Sequence, residues 1–400
     1  YEIWQEAHAS GAKWAETFSF LNLFSYITVR AGLATLISFL LIFLFGSRVI
    51  RKLISMKVGQ PIRSAEEVHK LAELHGGKAG TPSMGGVLIL GAVLLAVFIC
   101  GRPFNPFVAV TACVMLSLGL LGFMDDYHKV VKKNSAGISS RQKLFWQLVI
   151  AGLAASFIFF KPEVSGFGGS APGFSLKVTE DGKEVAKHFA ISEISFPLAK
   201  HHVLNIYWLA IPFFMLIIVG CSNAVNLTDG LDGLAAGLLA ISFTVFATIA
   251  YMSGRVDFSG YLNIIYLPGA GELTIFTAAC VGACIGYLWF NAAPAEVFMG
   301  DVGSLSTGAA LGTLAILLKK EFLLVIIGGV FVAEAVSVIL QVGYFRYTRK
   351  KTGEGKKLFL MAPFHHHFEL KGWPESRVVI RFWIIGLLLA LLTLTTFKIR

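Results

Sequence analysis

The chain has 400 residues, 56% of them hydrophobic and 14% charged, whereas ordinary soluble domains are about 25% charged; with a mean hydropathy of +0.71, this excludes a soluble globular protein. A net charge of +10 would suggest nucleic acid in a soluble chain, but in a membrane protein Lys and Arg first report the side on which each loop lies, so no nucleic-acid partner is expected. The five cysteines lie in or beside apolar runs without zinc-site spacing and read as buried thiols.

A helical span needs about 20 mostly apolar residues. In chain order, runs at 24–47, 83–100, 107–123, 144–160, 205–221, 233–253, 274–290, 304–318, 322–342 and 378–397 predict about ten transmembrane helices. The fold class is therefore all-α, a polytopic integral membrane protein, and an even number of spans puts both termini on one side. Basic residues concentrate after the first, third and ninth runs, from Arg48 to Lys78, from Lys129 to Lys143 and from Arg346 to Arg377. Those loops are expected in the cytoplasm and both termini outside. The polar segment 161–204, with an alternating Phe174, Leu176, Val178 stretch, reads as an outward loop insertion with a hairpin. With no repeat or low-complexity tract, residues 1–400 form a single membrane-embedded domain.

Of seven Asp, five (Asp125, Asp126, Asp229, Asp232 and Asp301) fall at the cytoplasmic ends of spans, in three loops that the charge pattern places on one side. Any one could simply cap a helix, but carboxylates at the edge of the hydrocarbon are costly unless paired, hydrated or bound to a cation. Five on one face, without cysteine, suit a hard cation such as Mg2+ that bridges to substrate phosphates. The adjacent carboxylates of Asp125 and Asp126 repel when ionised, which favours metal binding or a raised pKa on one of them. In the segment 223–233, Asn226, Asp229 and Asp232 recur every third residue and would face one way on a helical turn; an EF-hand is excluded because its closing Glu is missing. Gly300-Asp301-Val302-Gly303-Ser304 could open a helix with backbone N–H groups toward a phosphate.

Basic and imidazole groups complete this face. Lys78 precedes a Gly/Pro turn into the second span and suits a phosphate as a point charge; alone it would read as an interfacial anchor. His365, His366 and His367 are consecutive, a spacing better suited to contacting a diphosphate or uridine than to closing a zinc site. Glu334 lies within the ninth span, where pairing with a neighbouring helix and lining a groove are both open.

Together, Lys78–Gly86, Asp125-Asp126-Tyr127, Asn223–Gly233, Phe298–Ser304 and Pro363–Glu375 resemble the motifs of the bacterial phospho-N-acetylmuramoyl-pentapeptide transferase (MraY) family, from about Phe24 to Arg400. The Asp-Asp and Asn-Leu-Thr-Asp-Gly-Leu-Asp-Gly elements are shared with the wider superfamily of polyprenyl-phosphate N-acetylhexosamine-1-phosphate transferases; the histidine loop with Leu370–Pro374 resembles the muramoyl-pentapeptide branch. Ser83 stands where Thr is common, and the segment after span four is longer and more polar. The resemblance implies a ten-helix fold in the bacterial inner membrane, usually a homodimer, with a cytoplasmic active-site cleft. It implies Mg2+-dependent transfer of phospho-N-acetylmuramoyl-pentapeptide from UDP-N-acetylmuramoyl-pentapeptide to undecaprenyl phosphate, giving lipid I and UMP in the first membrane step of peptidoglycan synthesis. It implies Asp301 as the metal ligand and Asp125, with Asp126 beside it, as base or acceptor-phosphate partner. Asn226, Asp229 and Asp232 become nucleotide-side and metal-side contacts, and Lys78, Lys129, Lys133 and His366 phosphate and substrate contacts. A sister transferase with another hexosamine donor, or an ion-coupled transporter, are the competing readings; a transporter would place charges near the bilayer midplane, often with internal repeats.

Overall fold

The structure, a computed structural model, describes residues 10, 19–56, 80–131, 137–161, 175–180, 183–188, 190–196, 199–262 and 264–397. Its helices are α1 (Ile27–Ser55), α2 (Gly86–Cys100), α3 (Pro106–Val131), α4 (Ser140–Phe160), α5 (Ala210–Thr228), α6 (Leu234–Ser253), α7 (Val256–Leu262), α8 (Glu272–Asn291), α9 (Gly300–Leu317), α10 (Leu323–Ile327), α11 (Gly329–Thr352), α12 (Phe364–Leu370) and α13 (Glu375–Thr396). Eight are long and apolar enough to cross a membrane, and α2 is apolar but shorter. With α9, every apolar run of the sequence is helical. The protein is a multi-pass membrane protein of the all-α class. Strands occur between α4 and α5, as two antiparallel hairpins: β1 (Ser175–Glu180) with β2 (Lys183–His188), and β3 (Glu193–Phe196) with β4 (Ala199–Asn205). The alternating stretch predicts the first; the second buries Ile194.

The core is organised around α9, in which every residue is buried. Lipid supplies no hydrophobic drive between helices, so close approach of small residues carries much of the packing. Gly308 and Gly312 lie on the face toward α5, where an added Cβ would sit 2.6 Å from the Cys221 carbonyl and 3.0 Å from that of Ile217. The hydroxyls of Ser304, Thr307 and Thr313 donate to carbonyls one turn earlier, so none is an uncompensated polar group in the interior.

The boundaries differ from the apolar runs where helices continue past the hydrocarbon. The ninth run is broken at Gly328 into α10 and α11, and α11 extends through a basic tail that suits a helix C-terminus before Gly353, at φ +82°, ends it. Two ion pairs are also buried in the bundle. Arg30 of α1 makes a bidentate bridge to Glu272 of α8 (2.7 and 2.9 Å), to which the Arg102 amide also donates at 3.2 Å. Lys319 is 1% exposed; its Nζ donates to the Ile191 carbonyl (2.8 Å) and to Glu321 Oε1 (3.1 Å). These contacts fasten the segment leading into the β3–β4 hairpin to the end of α9.

Candidate active site

The start of α9 meets the ends of α3, α4 and α5. Gly122 makes the contact with α3 possible: a Cβ there would run into the backbone carbonyl of Asp301. One turn later α3 presents Asp125 and Asp126, and the first turn of α9 presents Asp301. The three are 2%, 3% and 8% exposed, and one carboxylate oxygen from each lies within 4.8 Å of the others. An oxygen-only cluster of this size could hold a hard divalent ion.

Two ammonium groups enter the cluster. Lys129 Nζ lies 2.8 Å from Asp125, 3.3 Å from Asp126 and 3.2 Å from Asp301. Lys143, from the first turn of α4, bonds Asp301 Oδ2 and stands 3.6 Å from Asp125. The site therefore sets three carboxylates against two cations. Burial pushes the Asp301 carboxyl up, but the hydrogen bond it shares with Asp125 and the charges of Lys143 and Lys129 outweigh burial and hold it below the usual carboxylate range. Asn226 of α5 donates to the other Asp301 oxygen at 2.8 Å and to Ser304 Oγ at 2.9 Å. The Ile138 amide donates to Asp125 Oδ1 at 2.7 Å.

Sequence spacing suggested that Asn226, Asp229 and Asp232 share one helical turn, but α5 ends at Thr228. They converge on 291–304 by separate routes. Asn226 reaches Asp301; Asp229 accepts from the Gly300 amide; Asp232 accepts from the Ala295 amide at 3.0 Å, while its own N–H donates to Glu375 at 2.7 Å. Burial, then the neighbouring Asp301 and Asp126, push Asp229 up to about 8. Of the amides that open α9, which by sequence could face a phosphate, Gly300 N–H goes to Asp229 and Val302 N–H to Asp126 (3.4 Å).

The histidines divide. His365 is 1% exposed and packs its ring edge against Gly230, leaving no room for a Cβ. Its backbone N–H donates to Glu334 Oε1 at 3.2 Å, and its Nδ1 lies 3.2 Å from Glu334 Oε2 without hydrogen-bond geometry, so the buried carboxylate of the ninth span finds its partner in the His365 backbone. His366 pairs with Glu369 at 2.8 Å. Burial and the Lys371 charge lower His367, consistent with a neutral ring whose Nδ1 accepts the Leu360 amide at 3.1 Å.

Lys78 and Lys133 lie outside the described residues. The turn that follows Lys78 does not: Phe298 N–H donates to the Pro82 carbonyl and Gly85 N–H to the Phe298 carbonyl, both at 2.8 Å, tying that turn to the approach to Asp301. Sequence reasoning missed Lys143 as a site residue. It sits among other basic residues at the start of a helix, and no motif separates it from an interfacial anchor.

The chain is similar to known proteins. The family described as glycosyl transferase family 4 matches residues 108–319, and phospho-N-acetylmuramoyl-pentapeptide-transferase signature 1 matches residues 78–90. The chain is 49% identical over 381 residues to the phospho-N-acetylmuramoyl-pentapeptide-transferase of Methylacidiphilum infernorum, covering 95% of this chain and 96% of that one. It is 47% identical over 386 residues to the protein of the same name from Citrifermentans bemidjiense (96% and 98% covered), and 45% identical over 386 residues to that from Thermodesulfovibrio yellowstonii (96% and 98%).

Proposed function

Because the chain belongs to the phospho-N-acetylmuramoyl-pentapeptide transferase family and is a membrane phosphoglycosyl transferase, we propose that it moves phospho-N-acetylmuramoyl-pentapeptide from its UDP carrier to undecaprenyl phosphate. Lipid I and UMP are the products. The reaction takes place on the cytoplasmic side of the bacterial inner membrane, both termini face outward, and the working unit is a homodimer. The observation that carries this reading is the buried cluster of Asp125, Asp126 and Asp301 threaded by Lys129 and Lys143.

Both reactants are anionic, so the site must neutralise charge and align the attacking phosphate with the diphosphate. The oxygen-only donor set fits Mg2+, with Asp301 as principal ligand and Asp125 and Asp126 beside it. When bound, Mg2+ supplies charge neutralisation at the diphosphate. Lys129 and Lys143, already balanced among carboxylates, would turn toward phosphate oxygens as the substrates enter, with Lys78 and Lys133 as further phosphate contacts. Asp125 orients the lipid phosphate and accepts its last proton where that remains; with a second pKa near 6 by analogy with phosphoserine, roughly, much of that phosphate is dianionic at pH 7. Asn226 holds Asp301 while the Asp229 and Asp232 turn shapes the nucleotide side, and His366 reaches the donor. His365 and His367 support that helix through Glu334 and Leu360.

The test is UMP release from UDP-N-acetylmuramoyl-pentapeptide by purified protein in detergent. Release that requires both polyprenyl phosphate and Mg2+, and stops with EDTA, is expected. Release with another UDP-hexosamine donor alone would refute the substrate assignment.

A further inference from the structure

Asp301 is held on one oxygen by Lys143 of α4 and on the other by Asn226 of α5. Those helices pack directly on each other, and they run antiparallel, since the start of one and the end of the other meet the same carboxylate. One turn further into the bundle is a second link between them. Gln147 lies four residues after Lys143, and Asn223 three before Asn226, so each shares a helix face with its partner. Asn223 Nδ2 donates to Gln147 Oε1 at 2.9 Å, and Gln147 Nε2 approaches Asn223 Oδ1 at 3.5 Å. Gln147 is 1% exposed. Asn223 Nδ2 also donates to the Val219 carbonyl at 2.8 Å, which fixes its rotamer against its own helix.

We propose that Gln147 and Asn223 are positioning residues: their amide pair sets the register of α4 against α5, so that Lys143 and Asn226 grip opposite oxygens of Asp301. The arrangement is a ladder with two rungs, the amide pair within the bundle and the Asp301 carboxylate at its mouth. The rungs are one helical turn apart, about 5 Å. Sliding or rotating either helix by part of a turn would take Lys143 or Asn226 away from Asp301, leaving Lys129 and the remaining partner to hold its carboxylate less firmly in the triad. Amide side chains suit the task because they hydrogen-bond mutually without adding charge beside a site already dense with it. Groups that orient metal ligands in this way typically change metal affinity or activity by about 10- to 100-fold when replaced. The inference rests on the metal-binding role proposed for Asp301.

The experiment measures Mn2+ binding by electron paramagnetic resonance on the full-length protein in detergent, alongside UMP release and thermal melting. Gln147→Asn and Asn223→Gln each break the reach of the pair, and each should weaken Mn2+ binding about tenfold and lower kcat more than donor KM. The double swap keeps the same total side-chain length and should recover most of both. Single variants that bind Mn2+ and turn over like the parent, or a double swap no better than the weaker single, would overturn the ladder. Should a single variant not fold, Gln147→Met keeps the bulk without the amide: Mn2+ binding about tenfold weaker than the parent's supports the proposal, and parent-like binding refutes it. Asp301→Asn separates the two levels: if it loses Mn2+ while the ladder variants do not, the ladder alone fails, and if it binds Mn2+ like the parent, the metal reading fails with it.

Discussion

Asp301→Asn is the most direct perturbation of the site. The amide keeps the shape of the side chain but removes the charge that faces Lys129 at 3.2 Å, Lys143, and any ion held with Asp125 and Asp126. Two unit charges about 4 Å apart interact by about 4 kcal/mol at an effective dielectric of 20. At 1.36 kcal/mol per decade, losing one such attraction in the transition state corresponds to roughly a thousandfold in rate, and the divalent charge of Mg2+ makes that a lower estimate. Asn226 must also rearrange, since it now faces an amide that can present N–H rather than oxygen. The measurement is UMP release at saturating Mg2+, with circular dichroism and melting to confirm the fold. The expected result is a folded protein with turnover down by about three orders of magnitude or more. Activity within tenfold of the parent would refute the assignment of Asp301 to the metal and with it the electrostatic reasoning used for the whole cluster.

Three other substitutions separate packing, stability and donor binding. Gly122→Ala forces a Cβ into the Asp301 backbone; overpacking costs about 1–3 kcal/mol, and turnover per folded molecule should fall at least about tenfold because the strain is delivered to the triad. Equal loss of activity and folded fraction would contradict that. Glu272→Gln breaks the buried pair with Arg30 and should cost about 3–5 kcal/mol, seen as a lower melting temperature with unchanged turnover of the folded protein at 25 °C. His366→Ala should raise donor KM while Mn2+ binding stays at the parent value; an unchanged KM would remove His366 from the donor site.

Much of this was legible from residue types. The ten apolar runs give the helices, and three Asp-bearing loops on one side of the charge pattern are the elements that meet at the start of α9. Their meeting depends on chain order and on carboxylates being tolerable at that depth only in company, both visible in sequence. Pairings between distant positions were not visible. Nothing in the sequence links Arg30 to Glu272, 242 residues away, or Glu334 to His365, because a polar contact across helices leaves no periodic trace. For Asn226, Asp229 and Asp232 the spacing suggested a shared turn, whereas α5 ends at Thr228 and different backbone segments collect the three side chains. Lys143 escaped because a functional lysine and an interfacial anchor look alike until their partners are known.

The complete burial of α9 also bears on how the protein is assembled. This helix begins with a carboxylate, is rich in Gly, Ser and Thr, runs into Lys319 and Lys320, and falls outside the eight helices that are apolar enough by themselves. A helix of that length with a carboxylate in its first turn and lysines at its end inserts less readily by itself than a longer uncharged one, since charges are penalised in lipid. Its entry into the bilayer therefore depends on α3 and α5 being in place to receive it. The Asp301 carboxylate is thus carried by a segment that relies on its neighbours, and a chain whose earlier helices are misassembled would not bring the carboxylate cluster together.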